Sequence, residues 1–255
     1  VLLERNDTLP LIPASTLKLL VTGHALAGWD AGWDSALAAA LARSREPGLR
    51  FLRDPAKQDS LARLLEAPDL PAWPLRRRLL TWTNRHSSNR LADLLLARAC
   101  AGRPGLRPDA LYRAWLDSLG VPATGLVVAD GSGLSRRNRL TARTLTGLLA
   151  AGRETGGREL VLSLARPGGQ GTLSRRGLGL GHRVRAKTGY IRGVFTLAGY
   201  LDAETDTFAF AFLANGCPDP RAAYRLFTGL LLAAYRADAA SAGPDKSTGA
   251  AEPPR

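Results

Sequence analysis

The 255-residue chain contains no methionine, only two cysteines and few aromatics (6%). It has no apolar run near the ~20 residues needed to span a bilayer, which excludes a transmembrane helix. Val1-Leu2-Leu3 is too short for the core of a signal peptide, and Glu4 and Arg5 follow it directly. Without even a start methionine, the chain reads as a processed, trimmed or partial product. Cys100 and Cys217 are too few for a disulfide-rich scaffold or a cysteine-built zinc site. They are compatible with one disulfide or with two buried thiols, and buried thiols are the better reading. Lysine is also sparse, at positions 18, 57, 187 and 246 only, so arginine supplies most of the +13 net charge. That charge attracts polyanions such as nucleic acid, anionic lipid or cell wall, without choosing among them. The basic residues are scattered and the chain lacks both zinc-ligand spacing and an aromatic-rich basic strand, so no nucleic-acid partner is expected.

What the chain does have is 45% hydrophobic and 22% charged residues, a globular composition that excludes intrinsic disorder. Val1–Pro13 reads as a strand and turn, and Ser15 to Gly28 as a helix with Leu17, Leu20, Val21 and His24 on one face. Residues 30–76 read as an accessory excursion with short helices at Ser35–Arg43 and Ser60–Glu66. Helices follow at Ser87–Ala101, Asp109–Leu119, Thr141–Ala151 and Arg158–Ala165, with a short strand at Gly125–Ala129 before the turn Asp130-Gly131-Ser132-Gly133. Val184–Thr188, Val194–Leu201 and Thr207–Ala214 predict an antiparallel meander, closed by an apolar helix over Asp219–Arg236. The pattern is α/β, an antiparallel sheet flanked by helices plus a helical subdomain. One catalytic domain over 1–236 and a disordered tail over 237–255 are expected.

Three short patterns carry chemistry. Ser15-Thr16-Leu17-Lys18 is an S-x-x-K, Ser87-Ser88-Asn89 an S-x-N and Lys187-Thr188-Gly189 a K-T-G. A chain of this length contains about one S-x-x-K by chance, but a K-T-G in only about one chain in ten to twenty. Alone, each has a plain structural reading: Ser15, Ser87 or Asn89 as a helix cap, Lys18 as a solvated helix residue, Lys187 and Thr188 as strand residues. Together and in this order they match the set used by penicillin-binding proteins and class A β-lactamases. On a helix Lys18 reaches Ser15, whose hydroxyl needs a base to become a nucleophile. Burial, the helix dipole and a second cation such as Lys187 would lower the Lys18 pKa enough for that task. A K-T-G strand can present an edge to an extended peptide, with Lys187 and Thr188 on a terminal carboxylate and Gly189 giving backbone room.

Longer stretches strengthen the match: residues 13–19 and 87–93, Asp130-Gly131-Ser132-Gly133-Leu134-Ser135-Arg136, Gly171-Thr172-Leu173, and residues 186–194. In these the chain resembles the class C low-molecular-mass penicillin-binding proteins, D-alanyl-D-alanine carboxypeptidase/endopeptidases. The resemblance spans about residues 5–236 and implies a penicillin-recognising serine transpeptidase/β-lactamase-like fold. It implies Ser15 as the acylated nucleophile, Lys18 as general base and Ser87 as proton relay. Asn89 would bind the substrate peptide, Lys187 and Thr188 its carboxylate, and the N–H groups of Ser15 and Tyr190 the oxyanion. It further implies no metal or cofactor, peptidoglycan stem peptides as substrates, β-lactams as inhibitors, and a periplasmic or other extracytoplasmic location. The chain departs from the family in two respects. Only 72 residues separate Ser15 from Ser87, too few for the family's large insertion, and the family's first strand would lie upstream of residue 1. The Asp130–Gly133 turn is expected to border the cleft as a tight turn rather than as a catalytic part. Of the rivals, a class A β-lactamase needs a carboxylate for deacylation, yet between Asn89 and Lys187 the only glutamates are Glu154 and Glu159, neither in an E-x-x-L-N setting. The other rivals are a non-catalytic basic wall-binding protein and a nucleic-acid binder, for which only net charge speaks.

Overall fold

A computed structural model describes residues 3–43, 74–154, 158–176 and 179–241. The expected helix at Ser60–Glu66 lies outside them. A 3-10 turn, Ala14–Thr16, leads into helix α1 (Leu17–Ala27), whose residues Leu17 to Gly23 are all buried. A helix apolar on every side belongs inside a domain, and α1 is the central one here. Around it stand α2 (Ala31–Arg43), α3 (Leu75–Arg85), α4 (Asn89–Cys100), α5 (Pro108–Ser118), α6 (Ala142–Glu154) and α7 (Arg158–Ser163). The sequence explains the α4 and α5 starts. Ser88 caps α4 by accepting the Leu91 N–H at 3.3 Å, and α5 opens on Pro108 with Asp109 in its first turn.

The sheet is the expected meander: β1 (Val184–Ile191), β2 (Val194–Asp202) and β3 (Thr207–Asn215), antiparallel in the order β1-β2-β3. Register runs Ile191 opposite Val194 and Asp202 opposite Thr207. Strand alternation sorts two cores. Ala198 and Tyr200 join the helical core around α1, and the Tyr200 hydroxyl donates to the Leu149 carbonyl of α6 at 2.7 Å. Leu197, Leu201 and Phe210 face the other way, onto Ala223, Phe227 and Leu231 of α8 (Pro220–Ser241). Each leucine or phenylalanine among them, taken fully out of water, stabilises by about 1.5–3 kcal/mol. Among the described residues no helix is long and apolar enough to cross a membrane.

Four expectations about elements change. Of the strand expected over Val1–Pro13, the described residues from Leu3 onward form a single bridge, Leu11 with Leu140, because the Asn215 side chain takes the place of a partner strand at Ile12. It accepts the Ile12 N–H at 2.8 Å and donates to the Ile12 carbonyl at 3.1 Å. The strand over Gly125–Ala129 is likewise one bridge, Val127 with Arg139, and the Asn138 amide accepts the Ala129 N–H at 2.7 Å. Helix α3 lies where no element was expected. Finally, α8 continues past Arg236 to Ser241, since Asp238 ties its last turns to the β2–β3 connection by accepting the Thr205 N–H at 2.8 Å. Cys100 and Cys217 are free thiols, half-buried rather than fully buried.

Candidate active site

Ser15 lies in a turn that the surrounding backbone holds tightly. The Pro13 carbonyl accepts from the Thr16 hydroxyl (2.7 Å), the Thr16 N–H (3.2 Å) and the Thr196 hydroxyl of β2 (2.8 Å). Ala14 has φ +46°, a left-handed conformation that side chains with a Cβ adopt at a cost. Two glycines make room for this turn. A Cβ on Gly189 would stand 2.0 Å from Thr196 Oγ1 and 2.9 Å from the Ser15 nitrogen; one on Gly133 would stand 1.9 Å from the Ala14 carbonyl oxygen. The sequence reading gave Gly189 the task of admitting substrate backbone. In the fold, its bare Cα first admits the nucleophile turn.

Lys18 sits one turn into the molecule from Ser15 and is fully buried. Its Nζ is 2.9 Å from Ser15 Oγ and 2.9 Å from Asn89 Oδ1, and it also contacts the Ser132 carbonyl oxygen. Two of these partners, an amide oxygen and a backbone carbonyl, can only accept. A neutral amine has two N–H bonds and one lone pair, so with both hydrogens given to Asn89 and Ser132 the lone pair faces the Ser15 hydroxyl. Burial lowers the Lys18 pKa to about 8, against the opposing pull of the Asp93 and Asp130 carboxylates.

The start of α4 is clamped between two lysines. Asn89 meets Lys18, while Ser87 Oγ lies 2.9 Å from Lys187 Nζ of β1, which also donates to the Thr188 carbonyl at 2.8 Å. Ser87 has φ +57°, a second strained residue beside the nucleophile. Lys187 is fully buried, and burial followed by the charge of Lys18 pushes its pKa well below the ordinary value. Thr188 and Gly189 continue along the edge strand, and Tyr190 is 59% exposed at its mouth. The structure therefore brings Ser15, Lys18 and Asn89 into one hydrogen-bonded set and Ser87 with Lys187 into an adjoining one, with Gly189 close against the Ser15 turn and Thr188 and Tyr190 beside it on the same edge strand.

Sequence reasoning missed what holds Lys18 from the far side. Asp93 Oδ1 accepts the N–H groups of Gly131 and Ser132, both at 2.9 Å. Asp130 accepts those of Gly133 and Ser135, both at 2.6 Å. The loop is thus latched to α4 with the Ser132 carbonyl aimed at Lys18, which makes it more than a tight turn. One signal was available: Asp93 lies four residues after Asn89, on the same face of a leucine-rich helix. Glu159 is held by Arg76, with both contacts at 3.2 Å. Among the described residues no three His, Cys, Asp or Glu side chains gather as a metal site.

Known proteins resemble the chain in sequence and in fold. It is 40% identical over 113 residues to a D-alanyl-D-alanine carboxypeptidase of Actinomadura sp., covering 41% of this chain and 21% of that protein. It is 37% identical over 158 residues to carboxypeptidase DacB of Mycolicibacterium smegmatis, covering 56% and 34%. The match thus spans about a third or less of these relatives' length. Penicillin-binding protein 4 (dacB) of Haemophilus influenzae superposes with a TM-score of 0.55 at 29% identity, over 63% of this chain and 40% of that one. A class A β-lactamase of Clostridium kluyveri shares the fold, with a TM-score of 0.58 over 92% of this chain and 88% of that one at 15% identity. Residues 59–228, about two thirds of the chain, match the profile described as the D-Ala-D-Ala carboxypeptidase 3 (S13) family. That span holds the S-x-N helix, the latched loop and the K-T-G strand, and it makes the chain a member of that family.

Proposed function

We propose that this chain hydrolyses D-alanyl-D-alanine-type amides of peptidoglycan peptides through an acyl-enzyme on Ser15, and that penicillins acylate the same oxygen. The observation that carries this reading is the set of three contacts at Lys18 Nζ, which in the neutral amine leaves the lone pair for the Ser15 proton. Lys18 takes that proton as Ser15 Oγ attacks the carbonyl carbon. The N–H groups of Ser15 and Tyr190 receive the oxyanion. Ser87, in contact with Lys187, passes its proton to the departing amine as the C–N bond breaks and is resupplied with the proton that Lys18 took from Ser15, which resets both groups. Asn89 holds the substrate amide, and Lys187 with Thr188 receives the terminal carboxylate. Water then cleaves the ester, returning the proton to Ser15. Stem peptides place this work outside the cytoplasmic membrane, in the cell envelope.

The test is the intact mass after incubation with benzylpenicillin, followed by peptide mapping. One adduct per chain is expected, on the fragment that carries Ser15. An adduct elsewhere, or none on folded protein, overturns the reading.

The latch gives a finer result. The acylation rate should rise with pH through about 8, as Lys18 loses its proton. Asp93 raises that pKa by favouring the protonated amine, so Asp93→Asn, which keeps an oxygen for Gly131 and Ser132, should move the limb to lower pH. Stopped-flow acylation across pH 6–10 reads this directly; an unmoved limb would show that Asp93 does not act on the base electrostatically.

A further inference from the structure

The Thr188–Tyr190 edge also forms one wall of a second cavity, of about 310 Å³, on the side of the sheet that faces α8. Phe195, Leu197 and Phe227 line its apolar part. Arg176, Arg221 and Arg225 line the rest, and no acidic residue is among the lining side chains. The Arg176 guanidinium lies over the Tyr224 ring, 5.7 Å from its centroid, and Arg225 makes a long ion pair with Asp219, at 3.7 Å. The Tyr224 hydroxyl, also in the lining, is buried with no hydrogen-bond partner among the described residues. A buried phenol that donates to nothing among the described residues lacks an acceptor, and of the three guanidinium groups around the opening Arg225 alone has a carboxylate among them, at 3.7 Å and solvent-exposed. A carboxylate on an apolar stem satisfies both and fills the aromatic part. The cavity size falls in the range of small-ligand sites.

Position then says which part of a substrate arrives here. Under the proposed function, on which this inference rests, Thr188 receives the carboxylate of the leaving residue. The wall shared with the cavity therefore lies on the leaving side of the scissile amide. We infer that the Arg176–Arg221–Tyr224–Arg225 cavity is a leaving-group subsite for residues that carry a second carboxylate. The substrates it selects are peptides whose departing half is larger and more acidic than alanine, as when one peptide strand is released from another.

Two synthetic substrates isolate the charge: a diacetyl-L-lysyl-D-alanyl peptide ending in D-glutamate, and its isostere ending in D-glutamine. The full chain should release D-glutamate with a kcat/KM about tenfold higher, the effect of one charge-assisted hydrogen bond. The double variant Arg221→Ala/Arg225→Ala, and separately Tyr224→Phe, should erase most of that ratio. Benzylpenicillin adduct formation on Ser15 is followed in parallel on every variant. Equal rates for the two peptides, or no turnover of either by protein that still takes penicillin, overturns the subsite and leaves the nucleophile standing. Absence of the adduct from folded wild-type protein overturns the proposed function, and the subsite falls with it.

Discussion

Lys18→Met should slow acylation of Ser15 by benzylpenicillin roughly 10²–10⁴-fold, the range general-base catalysis supplies. Methionine fills much the same buried space, so the loss reports the amine and not the volume. The substitution removes the partner of Asn89 Oδ1 and of the Ser132 carbonyl, and a buried acceptor left alone costs about 1–3 kcal/mol. It also removes a burdened cation. Buried Lys18 gives up its proton near pH 8, while in the unfolded chain it holds it up to about 10.5. Between these values the unfolded state binds more protons, so the wild type gains stability as pH rises from about 8 to 10.5. In Lys18→Met that part of the slope should vanish, together with the rising limb of acylation. Urea melts at pH 7.5 and 9.5 with acylation rates at the same pH values check both. A variant that acylates at the wild-type rate would assign the proton to another group, with Lys187 the nearest buried amine.

The site was legible to the extent that its chemistry resides in side chains with fixed local spacing. Ser15 and Lys18 share a turn, Ser87 and Asn89 flank a helix cap, and Lys187 with Gly189 follows strand alternation. What was not legible is carried by the backbone. The acceptor on the far side of Lys18 is the Ser132 carbonyl, and the point that fixes the nucleophile turn is the Pro13 carbonyl, both chemically the same at every residue. Only the fold aims them. The same physics accounts for the two strands that became single bridges. Asn215 and Asn138 satisfy backbone groups that a ladder would otherwise have paired, and a side-chain amide 203 residues away from Ile12 leaves no local pattern. Helix α3 was obscured by Arg76-Arg77-Arg78, which reads as surface charge. Yet the following Leu79, Leu80, Thr83 and Asn84 are buried, and Asn84 donates to Ser163 at 2.8 Å. The three arginines are themselves partly buried, and Arg76 turns onto Glu159 of α7 beside the face that is core.

Because the latch works through backbone, the sharpest test of it is a methyl group. Gly133 and Gly105 have nearly the same left-handed backbone, φ +84° and +78°. Alanine at either should therefore carry the same conformational penalty, about 1–2 kcal/mol. Their surroundings differ completely. A Cβ at 105 meets nothing within 4 Å, whereas one at 133 falls 1.9 Å from the Ala14 carbonyl oxygen and 2.5 Å from its carbon, both backbone atoms that no rotamer change can move. Gly133→Ala must push the loop away from the nucleophile turn, or the turn away from the loop. Either shift separates Ser132 from Lys18 or Ser15 from its glycine-lined slot. Gly105→Ala should lose little beyond the common penalty and acylate normally. Gly133→Ala should lose more than about 3 kcal/mol, among the large single-residue effects, and acylation should fall at least as far as in Lys18→Met. Denaturant melts and penicillin acylation of the two variants side by side separate strain from clash. If they prove equal in both, the loop does not bear on the nucleophile turn, and Lys18 keeps its orientation through Asn89 alone.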